Sequence, residues 1–220
     1  MLRLACLFCL LATLADAGPW PREKGRVFTA NSIELSGFRL DRDLMQTPYF
    51  SSTYIEYGLS RSLTIGLHVG HGSSAEIDAR AFLRVPLSQT DPHRFAFELN
   101  AGMAGDTGYV GLGLQYGRGF TLFERNGWIT VEGRVDMLSE ERGMDYRQGK
   151  LDVTLGLTHP NGLKTMAQLF ATETDGDIYA SFAPGVAVPL WRRATLEAGL
   201  LLDMTRGNAP GLKLGLWQEF

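Results

Sequence analysis

Apolar and polar residues alternate with a period of two through almost the whole chain, and that period belongs to strands, not helices. In Leu63-Thr64-Ile65-Gly66-Leu67-His68-Val69 every odd position is apolar and every even one is small or polar. The pattern returns with Ile77, Ala79, Ala81, Leu83 and Val85 set against Asp78, Arg80, Phe82 and Arg84. It recurs at Phe95 to Leu99, at Val110 to Tyr116, at Ile129 to Met137, at Leu151 to Leu157 and at Leu196 to Leu202. Between these runs lie turn signals: Ser60-Arg61-Ser62, Thr90-Asp91-Pro92, Arg125-Asn126-Gly127, Pro160-Asn161-Gly162 and Trp191-Arg192-Arg193. Asn-Gly and similar pairs supply the positive φ angles of tight hairpins.

Counting the runs predicts about twelve strands, near 26–36, 49–59, 62–70, 76–87, 94–103, 109–121, 128–138, 146–158, 163–172, 178–190, 194–203 and 211–220. The first and ninth have the most blurred alternation. An even count puts both chain ends on one side, together with the five short turns. The longer connections 37–48 and 139–145 then fall on the other side. Outer-membrane barrels show that asymmetry.

The first residues read as an export leader. Met1-Leu2-Arg3 carries a positive charge, Leu4 to Leu14 is almost unbroken apolar sequence, and Ala15-Asp16-Ala17 offers small residues to a signal peptidase. Cleavage before Gly18 is expected, since the apolar run is shorter than the roughly 20 residues a bilayer needs. The expected organisation is a cleaved signal peptide over 1–17, a short N-terminal segment over 18–25 and a single barrel over 26–220. Cys6 and Cys9 both lie in the leader, so the mature chain has no disulfide, thiolate metal site or cysteine nucleophile. The net charge is −3, which suggests no nucleic-acid partner. Mean hydropathy is −0.06, and no apolar run after the leader approaches membrane-helix length.

A soluble β-sandwich also alternates, so the polar face has to separate the two architectures. That face carries Glu56, Asp78, Arg80, Arg84, Glu98, Glu132, Arg134, Asp136, Lys150, Asp152, Glu197, Lys213 and Glu219, with both signs interleaved. In a membrane barrel these residues line the lumen, where opposite charges pair across strands. The apolar face is nearly free of charge, and one Lys or Arg at the bilayer midplane would cost about 2–4 kcal/mol. Aromatics gather near both ends of the strands: Phe95, Phe123, Trp128, Trp191, Trp217 and Phe220 by the short turns, and Phe38, Tyr49, Phe50, Tyr109, Tyr146 and Tyr179 by the loops. Two such girdles are expected at the two interfaces. The fold class read from these features is all-β, a closed antiparallel up-and-down transmembrane β-barrel. Hydrocarbon offers no hydrogen-bond partner, so a sheet crosses it only by closing on itself.

The chain ends on Lys213-Leu214-Gly215-Leu216-Trp217-Gln218-Glu219-Phe220. This resembles the C-terminal insertion signal of bacterial outer-membrane barrels, with Lys213, Gly215 and the terminal aromatic Phe220 matching it and Gln218 departing where a hydrophobe is usual. The whole chain is similar to the small Gram-negative outer-membrane barrels, a group without a common activity. The resemblance implies residence in the bacterial outer membrane, insertion by the barrel-assembly machinery, and lipid and lipopolysaccharide as surroundings.

For function, two classes remain open. The first is a structural barrel or narrow passive channel for small solutes, without enzymatic activity or cofactor. Eight strands leave an interior that side chains fill and 16 or more leave a water channel, so twelve does not decide between plug and pore. The second is a lipid-directed hydrolase. His71-Gly72-Ser73, with Glu76 nearby, holds a base, a nucleophile and a carboxylate, and is similar to the lipid A deacylase arrangement in those few residues. The competing view is a Gly- and Ser-rich loop. His68 faces the lumen, His93 and His159 fall in turns, and no spacing matches a metal site. Glu173 with Asp175-Gly176-Asp177 is acidic enough to attract Ca²⁺ weakly, though it reads more simply as a solvated loop. The alternating glycines of Gly111 to Gly119 form a strand, not a phosphate loop, and leave room for bulky lumen neighbours such as Phe82.

Overall fold

The computed structural model describes residues 18–37, 47–74, 76–139 and 145–220. Twelve strands run β1 (Val27–Leu35), β2 (Tyr49–Ser60), β3 (Leu63–Gly72), β4 (Ile77–Ser88), β5 (His93–Ala104), β6 (Thr107–Leu122), β7 (Arg125–Ser139), β8 (Asp145–Thr158), β9 (Lys164–Thr174), β10 (Asp177–Trp191), β11 (Ala194–Asp203) and β12 (Gly211–Glu219). Each pairs antiparallel with the next, and β12 returns to β1, so the sheet is a closed barrel. Among the described residues there is no helix. All twelve expected strands are present, including the first and ninth. Expected Cys6 and Cys9 and the leader over 1–17 lie outside the described residues, as does most of the 37–48 loop.

Alternation fixes which way each side chain points, and β6 shows it most clearly. Tyr109, Gly111, Gly113, Gln115 and Gly117 are buried, while Val110, Leu112 and Leu114 between them are 55–62% exposed. Over the whole barrel the usual burial order is inverted. Glu56, Glu98, Asp136 and Arg84 are among the least exposed side chains, at 1–3%, while most large aliphatic residues of the strands are exposed. A protein folded in water does the reverse. The sheet closes on itself and, among the described residues, no second layer covers the apolar face, so the sandwich alternative is excluded. Leu112→Arg, in the middle of this face, is expected to cost about 2–4 kcal/mol, read as a lower urea midpoint for unfolding from lipid vesicles.

The closing seam matters because an open edge is intolerable in hydrocarbon. Strand β12 runs in register with β1 from Phe28↔Glu219 to Leu35↔Leu212. The final residue locks it: Val27 N–H donates to the Phe220 carbonyl (3.1 Å) and Phe220 N–H donates to the Val27 carbonyl (2.9 Å). The last aromatic residue is thus part of the ladder that seals the cylinder.

Three sequence expectations need correction. The hairpin between β6 and β7 turns at Phe123-Glu124, both with positive φ (49° and 59°), and not at Asn126-Gly127, which lie inside β7. Gly127 is small because the Phe120 ring lies against it, 2.3 Å from where a Cβ would be. Second, the aromatic girdles are thinner than expected. Trp128 lies over lumen-facing Gly156, Trp217 donates to Glu197 (3.1 Å), Phe50 covers Gly70, and the Tyr109 hydroxyl approaches Asp78 (3.4 Å). Phe95, Phe123, Trp191, Phe220, Tyr49 and Tyr179 are exposed as expected. Phe38 and the Tyr146 side chain lie outside the described residues. Third, Phe82 finds its room over Gly66 of β3, where a Cβ would stand 2.1 Å from Cζ, and not over the glycines of β6. Aromatic rings covering bare glycines on the neighbouring strand keep a curved sheet packed.

Candidate functional site

Residues 18–23 do not trail away from the barrel but fold into its lumen, as a strap across the end that carries the short turns. The Arg22 N–H donates to Thr64 Oγ1 (3.2 Å), and its guanidinium meets Glu56 (2.5 Å) and lies over the Phe28 ring (4.3 Å). Strand glycines make way for it. A Cβ on Gly58 would stand 2.1 Å from the Glu23 carbonyl oxygen and 2.7 Å from that of Arg22. One on Gly117 would stand 2.6 Å from Pro19 and 2.7 Å from the Trp20 ring. Gly58 is on β2 and Gly117 on β6, four strands round the barrel, so the strap crosses the interior instead of hugging one wall. Two bonds pin its exit to the wall, Gly25 N–H to the Gly58 carbonyl (2.8 Å) and Gly58 N–H to the Arg26 carbonyl (3.0 Å).

Beneath the strap the inward charges form a connected layer. Arg84 is at its centre, donating to Glu56, to the Tyr54 hydroxyl (3.0 Å), to Glu98 (3.0 Å) and to the Gly18 carbonyl (3.2 Å). Arg80 adds a second cation to Glu98 (2.7 Å). Tyr54 donates to Glu56 (2.5 Å), and the Gln115 amide donates to Glu98 (3.1 Å) and Glu132 (3.4 Å). Phe82 stacks on Tyr54 with centroids 5.6 Å apart and lies under Arg80 and Arg84. Glu56 and Arg84 stand on β2 and β4, which are not neighbours. They meet because β3 between them presents only Thr64 and Gly66 at that level.

The other inward residues are looser. Lys213 pairs with Glu197 (3.0 Å), and Arg134 pairs with Asp136 (2.8 Å) two places along the same face. Asp78, Lys150 and Asp152 face the lumen nearer the loop end. Lys150 is half-buried and Asp152 is exposed although it points inward, so that side of the lumen is wet. The interior is therefore uneven: the strap fills the end carrying the termini, while towards the loops Asp136, Leu138 and Tyr109 are buried on one side and Lys150 and Asp152 keep solvent access on another. Sequence reasoning missed Gly58, Gly117, Arg22, Tyr54 and Gln115, which complete the filled end.

Among the described residues no hydrogen bond joins His71, Ser73 and Glu76 to one another. The Ser73 hydroxyl receives the Tyr49 N–H (2.8 Å) and its own N–H donates to the Tyr49 carbonyl (3.0 Å), so the residue clips the ends of β2 and β3 together. The His71 ring packs edge-on against Tyr49 at 5.9 Å, and Glu76 lies by Gly105. A hydrolase reading gains no support from this arrangement. Purified protein and its Ser73→Ala variant are expected to leave identical lipopolysaccharide profiles by mass spectrometry. His68 lies in the lumen beside Tyr54, His93 bonds the Tyr116 hydroxyl (2.9 Å) and His159 bonds Thr165 (3.1 Å). Asp175-Gly176 is a two-residue hairpin turn in which Glu173 accepts the Gly176 N–H (2.7 Å). No metal-binding group occurs among the described residues.

No family model matches the chain and no curated protein matches it by sequence. Solved structures do match by shape. The KdgM porin superposes with a TM-score of 0.65 at 6% identity, over 88% of this chain and 99% of that one. The NanC porin gives 0.63 at 8%, over 86% and 98%. The COG4313 outer membrane channel from Pseudomonas putida F1 gives 0.58 at 13%, over 93% and 99%. At such identities the likeness is one of fold, and the fold is that of small porin barrels.

Proposed function

We propose that this chain is an integral protein of the bacterial outer membrane that forms a narrow passive channel for small polar solutes, closed at rest by its own N-terminal strap. The observation that carries the reading is the uneven lumen: residues 18–23 fill one end, and inward Lys150 and Asp152 keep solvent access beyond it. Asp78, Arg134, Lys150 and Asp152 face the lumen beyond the packed layer, a lining suited to polar solutes. Hydrophobic aliphatic residues on the whole outer face favour a lipid setting. The likeness in fold to porins and to an outer membrane channel is consistent with transport. Export by the leader over 1–17 and insertion through Lys213, Gly215 and Phe220 by the barrel-assembly machinery belong to the same proposal, with lipopolysaccharide and phospholipid as neighbours. No catalytic step is part of it.

Planar-bilayer recording tests the reading. The whole chain is expected to give small, brief current steps, and the chain lacking residues 18–23 a larger, steady one. Silence from both would make the barrel a plugged scaffold.

A further inference from the structure

The strap begins at a carboxylate that lacks a cation. Glu56 is contacted by Arg22 and Arg84, and Glu98 by Arg84 and Arg80. Glu132 has no ion pair among the described residues, only the long bond from Gln115. Its register partner on β8 is Asp152, another acid. Gly18 is seated beside it: a Cβ there would stand 3.5 Å from Glu132 Oε1 and 2.8 Å from Thr130 Cγ2. The Gly18 carbonyl is held by Arg84, on the far side of the same layer.

We infer that Glu132 and Thr130 form a binding site for the chain's own α-ammonium group, created when the leader is removed before Gly18. Peptide-bond hydrolysis at Ala17-Gly18 consumes one water, leaves a carboxylate on the released leader at Ala17 and a protonated amine on Gly18. That charge then lies against Glu132 and completes the pairing of Glu56, Glu98 and Glu132. The site requires glycine at the new terminus, since a side chain would run into Thr130. It also couples closure of the barrel to processing: a chain that keeps residues ahead of Gly18 has an uncharged amide where the ammonium belongs. This inference rests on the export part of the reading above and not on conduction.

The test uses protein purified from outer membranes after expression with its leader. N-terminal sequencing is expected to start at Gly18, and a different first residue overturns the inference. The folded barrel is then treated with a water-soluble amine-acylating reagent, and peptide mapping compares the α-amine with Lys24, which is exposed and lies in the same segment. Acylation at Gly18 should be at least about tenfold slower than at Lys24 in the folded barrel, as expected for a buried, charge-paired donor, and faster than at Lys24 after denaturation, because a free α-amine is far less protonated than a lysine near neutral pH. In Glu132→Gln the protection should fall several-fold while strand content by circular dichroism is unchanged. An α-amine that reacts as fast in the folded barrel as in the denatured chain overturns the proposal while leaving export intact. Equal protection in Glu132→Gln also overturns it, because mere enclosure would then explain the rate.

Discussion

Removal of residues 18–23 from the processed chain is expected to raise single-channel conductance by about an order of magnitude, as a plugged constriction becomes an ionic, water-filled one. The strap contributes Pro19, Trp20 and Arg22 to the interior, and the strand positions under it are glycines. Once it is gone, Gly58 and Gly117 face the vacated lumen from walls four strands apart. Gly58→Val should act in the same direction without a deletion, since its Cβ would fall 2.1 Å from the Glu23 carbonyl oxygen and backbone cannot yield as a side-chain tip does. Gly117→Phe in the shortened chain provides the control: refilling the vacated space should lower the current again. Unchanged conductance in all three would assign closure to the Arg84 layer alone.

Much of the fold was legible because a strand declares its two faces locally. The alternation in 63–69 or 109–121 depends on nothing distant, and so the strand positions and the polar lumen face could be read directly. The strap was not legible for the opposite reason. Pro19-Trp20-Pro21-Arg22 has no period, and its partners are glycines, whose meaning lies in what they leave vacant. The pairing of Glu56 with Arg84 was hidden as well, because it spans the small residues of an intervening strand. The misplaced girdle aromatics were a different kind of miss. Trp128 has the parity of Thr130 and Glu132, Trp217 that of Lys213, and Tyr109 that of Gln115. The period already turned them inward, and grouping aromatics by their nearness to strand ends overrode it.

Arg84→Met is expected to destabilise the barrel by about 3–5 kcal/mol, because it leaves buried carboxylates without their shared cation. Arg84 is 3% exposed and touches Glu56, Glu98, Tyr54 and the Gly18 carbonyl. Glu98 retains Arg80 and Glu56 retains Arg22, so the loss should fall towards the lower end of that range. The magnitude has a specific origin, which a second variant isolates. A buried ion pair gains little over a well-packed neutral replacement, while half of one costs a great deal. Arg84→Met combined with Glu56→Gln and Glu98→Gln removes the stranded charges along with the cation, and should recover at least half of the loss. Urea unfolding from lipid vesicles, followed by tryptophan fluorescence, gives both midpoints; Trp20, Trp128 and Trp217 all lie inside the barrel and report on the lumen directly. The single variant should also loosen the strap, since the Gly18 carbonyl loses its donor, and so should conduct more than the parent. If single and triple variants unfold at one midpoint, the two glutamates are solvated from the lumen, and the layer is a wet lining instead of a structural plug.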